Sequence, residues 1–274
     1  MECPGGYITR LGTCFHDRVA ELDILRRAVA EDYFSLLIIY GPKRAGKSEL
    51  LRYFFSMLLG RIGHVYAIYI NVKDRRGETA LKDIEVDVFG ASEEIASYIS
   101  ERLRELPEPA LSTFIPIVQA ARRFIGILIK EYRIGASDRI YVVADEFHRM
   151  RGYTSLRDRL EDLEAIASSI QDNRFYSNST WSRVRAIVAV SDGYIFARDE
   201  EGKTLWQRLM GYGADYLFVG EMDPDSFGKI LEDYCSSKGY RGDRCQELGE
   251  MVISIAGRLP GWIPDIDGYI VEAT

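Results

Sequence analysis

Between Leu36 and Leu51 the chain reads LLIIYGPKRAGKSELL, and no other stretch restricts the fold as strongly. Leu36 to Tyr40 is a short, continuous apolar run, the form of a strand buried on both faces. It stops at Gly41. The loop Gly41-Pro42-Lys43-Arg44-Ala45-Gly46 follows, and Lys47, Ser48 and Glu49 open a helical pattern that continues through Leu59. Strand, glycine-bounded loop and helix supply the context that the pattern G-x-x-x-x-G-K-S requires. The residue types suit one task. Backbone N–H groups, left uncovered at the two glycines, wrap a polyphosphate. The helix N-terminus adds partial positive charge. Lys47 reaches the outer phosphates and the Ser48 hydroxyl is a ligand for Mg²⁺. Gly41, Pro42, Lys43, Arg44, Ala45, Gly46, Lys47, Ser48 and Glu49 are therefore the expected phosphate-binding set.

A second acidic motif lies about a hundred residues on. Arg139-Ile140-Tyr141-Val142-Val143-Ala144-Asp145-Glu146 is a β-branched run that ends in two carboxylates. It reads as a central parallel strand, and in such sheets ligands sit at the carboxyl ends of the strands. Asp145 is then expected to support Mg²⁺, and Glu146 to activate the water that attacks the γ-phosphate. Arg185 to Val190 is another buried strand that ends at Ser191-Asp192. This polar pair either positions the attacking water or opens a turn before Gly193. Asn71-Val72-Lys73-Asp74 displaces the lysine of the guanine-reading pattern by one residue, which argues against a GTPase. His148 either orients a loop or has no role in the chemistry. His16 and His64 fit no metal spacing.

Coarser signals fill in the rest. Asp17 is a candidate N-cap for a helix carrying Val19, Leu22, Leu25 and Val29 on one side. Arg18 either approaches the nucleotide from outside the loop or solvates a helix start. Val65 to Ile70 reads as a second strand, and residues 73–90 as a charged, irregular surface excursion. Helices are expected over Ser92 to Leu106, which Pro107 and Pro109 break, over Ala110 to Tyr132, and over Leu156 to Ile170. Thr204 to Met210 reads as a short helix carrying Arg208, and Tyr216 to Val219 as the fifth strand. On spacing alone Arg208 is a solvated arginine at a helix end. From Asp223 onward no strand signal remains. Helices over 223–235, 243–256 and up to Ile270 read as a small cap; in its turn either Arg258 reaches the phosphates and Pro260 and Trp262 line the base, or the turn does no more than end a helix.

Composition sets the outer bounds. The formal net charge of -7 argues against a surface that coats nucleic acid as a whole, although a local basic patch is compatible with it. No apolar run approaches the ~20 residues of a membrane helix. The first residues do not open a signal peptide, so the expectation is a cytoplasmic chain. The cysteines fall as Cys3/Cys14 and Cys235/Cys245, neither a zinc spacing, and the plainer reading is four ordinary thiols. Asn occurs only at positions 71, 173 and 178, a scarcity that suits a heat-adapted source. In such a source disulfides between the sequence-near cysteines become conceivable even inside a cell.

Taken together, these positions resemble the archaeal ATPase domain family, on the AAA+/STAND side of the P-loop ATPases and near the origin-recognition initiators. Phe15-x-x-Arg18-x-x-Glu21-Leu22 resembles its N-terminal box, which frames the adenine. Val143-Ala144-Asp145-Glu146-Phe147-His148 resembles its acidic strand end, and Val190-Ser191-Asp192 its polar sensor. Leu205-Trp206-Gln207-Arg208 resembles the segment that carries an arginine finger. Gly257-Arg258-Leu259-Pro260-Gly261 resembles a Gly-Gly-x-Pro lid turn, with Arg258 in place of the second glycine. The resemblance implies that the sensor strand lies between the P-loop strand and the Asp-Glu strand. It also implies a C-terminal winged helix in many members; this sequence stops at Thr274, just past the lid, so either it is truncated or the module is lacking, and DNA binding is not carried over.

The expected architecture is a three-layer α/β P-loop NTPase fold with a five-stranded parallel sheet over residues 1–221 and an all-helical lid over residues 222–274. The expected activity is Mg²⁺-dependent ATP hydrolysis that drives a conformational or assembly change, through a homo-oligomer or a protein partner. A nucleotide-dependent switch with negligible turnover, and an initiator-like DNA-remodelling ATPase, are the alternatives.

Overall fold

The structure, a computed structural model, describes residues 3, 6–63, 65–72, 84–104, 113–131, 138–147, 155–173 and 180–273. Six strands form one sheet: β1 (Leu36–Gly41), β2 (Val65–Val72), β3 (Ile84–Phe89), β4 (Arg139–Asp145), β5 (Val184–Ser191) and β6 (Ala214–Phe218). Their order across the sheet is β3-β2-β4-β5-β1-β6. All neighbours run parallel except β3, which is antiparallel to β2. The sensor strand β5 does lie between the P-loop strand β1 and the Asp-Glu strand β4.

Parallel strands need crossovers, and these place helices on both faces. One face carries α1 (Val19–Glu31) and α2 (Lys47–Tyr53), which runs on through a π turn (Phe54–Leu58) and a 3₁₀ turn (Leu59–Arg61). Here Leu25, Leu37, Ile39, Leu50, Phe54 and Tyr141 share one buried cluster. The other face carries α3 (Glu93–Arg104), α4 (Phe114–Glu131) and α5 (Leu156–Asn173), with Ile38, Ile99, Phe114, Val142, Leu163 and Val188 packed together. Leu36, Leu37, Ile38 and Ile39 are each at most 2% exposed, because β1 is covered on both faces. Burying each contributes about 1.5–3 kcal/mol. Two short helices, α6 (Asp192–Phe196) and α7 (Leu205–Leu209), lie between β5 and β6.

The register of the ladders determines what meets at the sheet's carboxyl edge. Asn71 pairs with Asp145 across β2 and β4, and Gly41 with Ser191 across β1 and β5. Gly41 is required by packing. A Cβ there would lie 2.0 Å from the Val219 carbonyl oxygen, just beyond β6.

Three helices follow the sheet: α8 (Pro224–Lys238), α9 (Asp243–Ala256) and α10 (Ile263–Ala273). They bury a cluster of their own, including Phe227, Ile230, Tyr234, Leu248, Val252 and Ile266. The Asp223 carboxylate caps α8 by accepting the Asp225 and Ser226 N–H groups, and Gly239 ends the helix in the left-handed conformation.

Three sequence readings change. Residues 84–89 form an edge strand, making the sheet one strand larger than expected. The alternation of Ile84, Val86 and Val88 with Glu85 and Asp87 is a half-buried strand pattern diluted by its charged surroundings. Arg18, not Asp17, occupies the N-cap of α1, and its side chain makes no cap hydrogen bond. The Asp17 carboxyl instead bonds to that of Asp223; burial first, then this bond, raise its pKa. The cysteines are paired, Cys3 with Cys14 and Cys235 with Cys245. His148, His64, the Pro107-to-Pro109 break and the expected helix start at Ala110 lie outside the described residues.

Candidate active site

A cavity of about 560 Å³ opens at the carboxyl edge of the sheet. Its floor is the P-loop, with Lys43, Arg44, Ala45, Gly46, Lys47, Ser48 and Glu49 in the lining. Asn71 and Glu146 line it from the ends of β2 and β4, and Met222, Ile230, Pro260 and Gly261 from the C-terminal helical part. The remaining wall is the segment from Thr9 to Arg18. That wall is a small folded unit. Ile8 and Cys14 form an antiparallel bridge, Thr9 and Thr13 share a 2.8 Å side-chain hydrogen bond, and Phe15 stacks on Tyr53 of α2 at 4.1 Å.

Lys47 is 8% exposed, and its Nζ donates to the carbonyls of Gly41 (2.9 Å) and Pro42 (2.8 Å). An ammonium group has three donors, so this geometry aims one more from a fixed position. Burial lowers the Lys47 pKa; the charges of Glu146, Asp145 and Asp192 oppose that shift. The same burial makes an arriving phosphate a strong partner for the amine.

Asp145 is 1% exposed at the end of β4. Its Oδ2 accepts the Tyr69 hydroxyl at 2.6 Å, and Ser48 also bonds to it. Burial raises its pKa, while the Tyr69 and Ser48 hydrogen bonds work the other way. A hydroxyl joined to a buried carboxylate is an all-oxygen donor set, which fits a hard cation such as Mg²⁺. Beside it Glu146 has φ 56°, in the left-handed region. A non-glycine residue there carries strain, and such strain clusters at functional positions. The turn that imposes it puts Glu146 in the cavity lining.

Other expected site residues fall in several places. Arg18 is 5% exposed and lines the cavity, but its guanidinium is engaged. It donates to the carbonyls of Ala45 (2.8 Å) and Gly220 (2.7 Å) and to Glu21 (2.8 Å), so it holds the P-loop against the chain leaving β6. Glu49 accepts the Tyr7 hydroxyl at 2.9 Å, tying α2 to the wall. Pro260 lines the cavity, whereas Arg258 does not. Arg258 donates to the Met222 carbonyl at 2.8 Å and pairs with Glu221 at 3.1 Å, because its turn directs it back onto the chain entering α8. Ser191 and Asp192 are also outside the lining, although Asp192 is close enough to act on the charge of Lys47. Arg208 is absent from the lining too: α7 directs it to Asp199, Glu164 and Glu201, which hold it with 11% of its side chain exposed.

Sequence reasoning missed Tyr69, Asn71 as a site residue, and the wall from Thr9 to Cys14. Tyr69 sits in an apolar run and reads as core; only the register of β2 on β4 reveals its partner. The wall depends on long-range contacts that carry no local pattern.

A P-loop, an adjacent buried carboxylate and a strained glutamate at one sheet edge belong with the sequence match. The pattern of an ATPase domain found predominantly in Archaea matches residues 15–234. The chain belongs to this family of ATPase domains. No curated protein matches the sequence. Among solved structures, it is similar to a Walker-type ATPase of Pyrococcus abyssi at 18% identity and a TM-score of 0.49, covering 91% of this chain and 65% of that one. It is also similar to a STAND protein with a tetratricopeptide repeat sensor from Pyrococcus horikoshii, at 13% identity and a TM-score of 0.38, over 90% of this chain and 28% of the other. A third is the Drosophila origin recognition complex bound to DNA, at 9% identity and a TM-score of 0.48, over 98% of this chain and 59% of the other. The chain thus spans less than two thirds of the length of each of these three. No helix among the described residues is long and apolar enough to cross a membrane.

Proposed function

We propose that this ATPase domain binds Mg-ATP in the 560 Å³ cavity, hydrolyses it, and passes the state of the phosphates to its C-terminal helices. The observation that carries this reading is the convergence of Lys47, Ser48, Asp145 and Glu146 on the carboxyl edge of β1 and β4. Lys47 and the P-loop N–H groups hold the β- and γ-phosphates. Ser48 and Asp145 are the residues that would hold Mg²⁺, which when bound neutralises phosphate charge. Glu146 orients and deprotonates the attacking water, and its fixed backbone supplies the positioning on which phosphoryl transfer depends. Ser191 or Asp192 polarises the region beside the γ-phosphate. The base lies between the N-terminal wall and the C-terminal helices, near Phe15, Ile230 and Pro260.

The coupling runs through the turn Pro260–Trp262. The Gly261 N–H donates to the Arg44 carbonyl at 3.1 Å, so the C-terminal helices rest on the loop that grips the phosphates. A P-loop that shifts on filling moves this contact, which is the two-state element a nucleotide-driven change requires. Arg208 contributes to a neighbour's site only in an assembly that draws it away from Asp199 and Glu164.

The test is phosphate release from Mg-ATP across protein concentration, for wild type beside Glu146→Gln and Lys47→Ala. Glu146→Gln should bind ATP and lose turnover, and Lys47→Ala should lose tight binding. Turnover in Glu146→Gln equal to wild type removes Glu146 as the base; unchanged affinity in Lys47→Ala removes the site.

A further inference from the structure

Cys14, His16 and Asp233 converge where the N-terminal wall meets α8. Their ligand atoms, a sulfur, a ring nitrogen and a carboxylate oxygen, all lie within 4.8 Å of one another. Cys14 Sγ is bonded to Cys3 Sγ, which brings a fourth donor to the same corner. The carboxylate is already oriented. Asp233 Oδ2 accepts the Cys14 N–H at 3.1 Å and lies 2.8 Å from His16 Nε2. Cys14 is buried, and His16 and Asp233 are about four-fifths buried, with side chains 20% and 22% exposed. Among the described residues no other group of three His, Cys, Asp or Glu side chains converges in this way, and the second pair, Cys235–Cys245, has no such donors.

While the sulfurs are bonded to each other, neither is a thiolate and neither ligates. We propose that reduction of the Cys3–Cys14 bond turns this corner into a binding site for a borderline divalent cation, Zn²⁺, held by Cys3, Cys14, His16 and Asp233. The reductant is a dithiol or a phosphine. It supplies two electrons, the S–S bond breaks, and each sulfur takes up a proton; Zn²⁺ then displaces both thiol protons to solvent. The donor set decides the metal. Two thiolates disfavour Mg²⁺ and Ca²⁺, and two sulfurs with an imidazole and a carboxylate suit tetrahedral Zn²⁺. Zinc bonds of about 2.0–2.3 Å place ligand atoms roughly 3.3–3.8 Å apart, so the wider contacts among Cys14, His16 and Asp233 must close by about 1 Å, the two freed sulfurs must separate, and the His16–Asp233 contact must open slightly. The Cys14 N–H on Asp233 remains as the outer hydrogen bond that fixes the carboxylate. The disulfide links only the N-terminal segment to itself. The metal would link that segment to α8, joining two walls of the cavity.

Zinc uptake at this corner does not depend on ATP chemistry and is read directly as bound metal. Wild-type protein is reduced with a phosphine, desalted without oxygen, and titrated with Zn²⁺ alone against a colorimetric chelator. The reduced chain should take up one Zn²⁺ and the oxidised chain none. Co²⁺ in its place should give thiolate-to-cobalt charge-transfer bands and the intense d–d bands of a tetrahedral site. His16→Ala should weaken binding by at least about tenfold, the lower end of what even outer-shell changes cost. A Cys235→Ser/Cys245→Ser variant should bind as wild type does. Reduced wild type that takes up no zinc overturns the proposal, and the wild-type comparison needs no variant to fold. Equal uptake by a Cys3→Ser/Cys14→Ser variant overturns it as well.

Discussion

Asp265 Oδ2 stands 2.7 Å from a guanidinium nitrogen of Arg44, so the first turn of α10 is ion-paired to the middle of the phosphate loop. Both side chains are 40% exposed, and an exposed pair of this kind contributes roughly 0–1 kcal/mol. The closer engagement is backbone packing at Gly261. A Cβ there would lie 3.0 Å from both the Cβ and the carbonyl oxygen of Arg44. Gly261→Ala should therefore lift the turn from the loop. The expected cost is about 1–3 kcal/mol of stability. The rise in Tm on adding Mg-ATP should also shrink, while Asp265→Asn should change stability by no more than about 1 kcal/mol. Thermal unfolding with and without nucleotide separates the two. A Gly261→Ala chain stabilised by ATP as fully as wild type would detach the turn from nucleotide binding.

Glu146, the proposed base, also carries a backbone cost. Its φ of 56° strains any L-residue, by about 1–2 kcal/mol. Glycine relieves that strain but costs about 0.5–1 kcal/mol in chain entropy. Glu146→Gly should thus fold within about 1 kcal/mol of wild type and fail to turn over ATP. Glu146→Val, β-branched at a positive φ, should lose about 1–3 kcal/mol as well as activity. Urea midpoints measured beside phosphate release check both. Equal destabilisation by Gly and Val would mean that backbone strain is not what distinguishes the position.

What could be read in advance follows from how local each signal is. The P-loop and the Asp145-Glu146 pair are contiguous motifs, and the structure brings them to one edge because β1 and β4 are both parallel and both neighbour β5. Strand β3 was missed because its apolar residues alternate with acids inside a charged stretch. Arg18 was legible as a residue near the site, but its partners, the carbonyls of Ala45 and Gly220, are backbone atoms that no side-chain pattern encodes. Arg208 was singled out by the resemblance and Arg258 by its place just after a helix. Their directions are set by carboxylates that their own segments do not reveal: Asp199 and Glu201 on the preceding turn and Glu164 44 residues earlier hold Arg208, and Glu221 pairs with Arg258 across the start of the helical part. The Cys14–His16–Asp233 corner was invisible for the same reason, since 217 residues separate His16 from Asp233.

Tyr69 donates at 2.6 Å to a carboxylate oxygen that has almost no access to water. Tyr69→Phe removes that donor and leaves the acceptor under-satisfied. The expected cost is about 1–3 kcal/mol. Ser48 keeps its bond to Asp145, so the fold should persist, with the carboxylate less firmly oriented. The Mg²⁺ concentration needed for half-maximal turnover should rise, while saturating turnover should change less. Urea unfolding and a magnesium titration at fixed ATP are the measurements. A variant with wild-type stability would show that the tyrosine hydroxyl does not support Asp145.

The last prediction concerns Lys47 and pH. Burial lowers its pKa below the usual 10.5, against the opposing charges of Glu146, Asp145 and Asp192. The sign follows from which form each state holds. Without nucleotide, the amine loses its proton at a lower pH than an exposed lysine does. Bound phosphate favours the ammonium and raises the pKa again. ATP binding should therefore take up protons on the alkaline side, and affinity should fall as pH rises through the lowered pKa. For folding the sign is opposite. The unfolded chain binds the extra proton between the lowered value and 10.5, so Lys47's share of stability rises with pH across that window. Calorimetry of ATP binding in buffers of different ionisation enthalpy measures the uptake directly. Lys47→Arg, whose side chain stays charged throughout, should bind more weakly but lose the alkaline proton uptake. Uptake that persists in Lys47→Arg would place the titrating group elsewhere in the cavity.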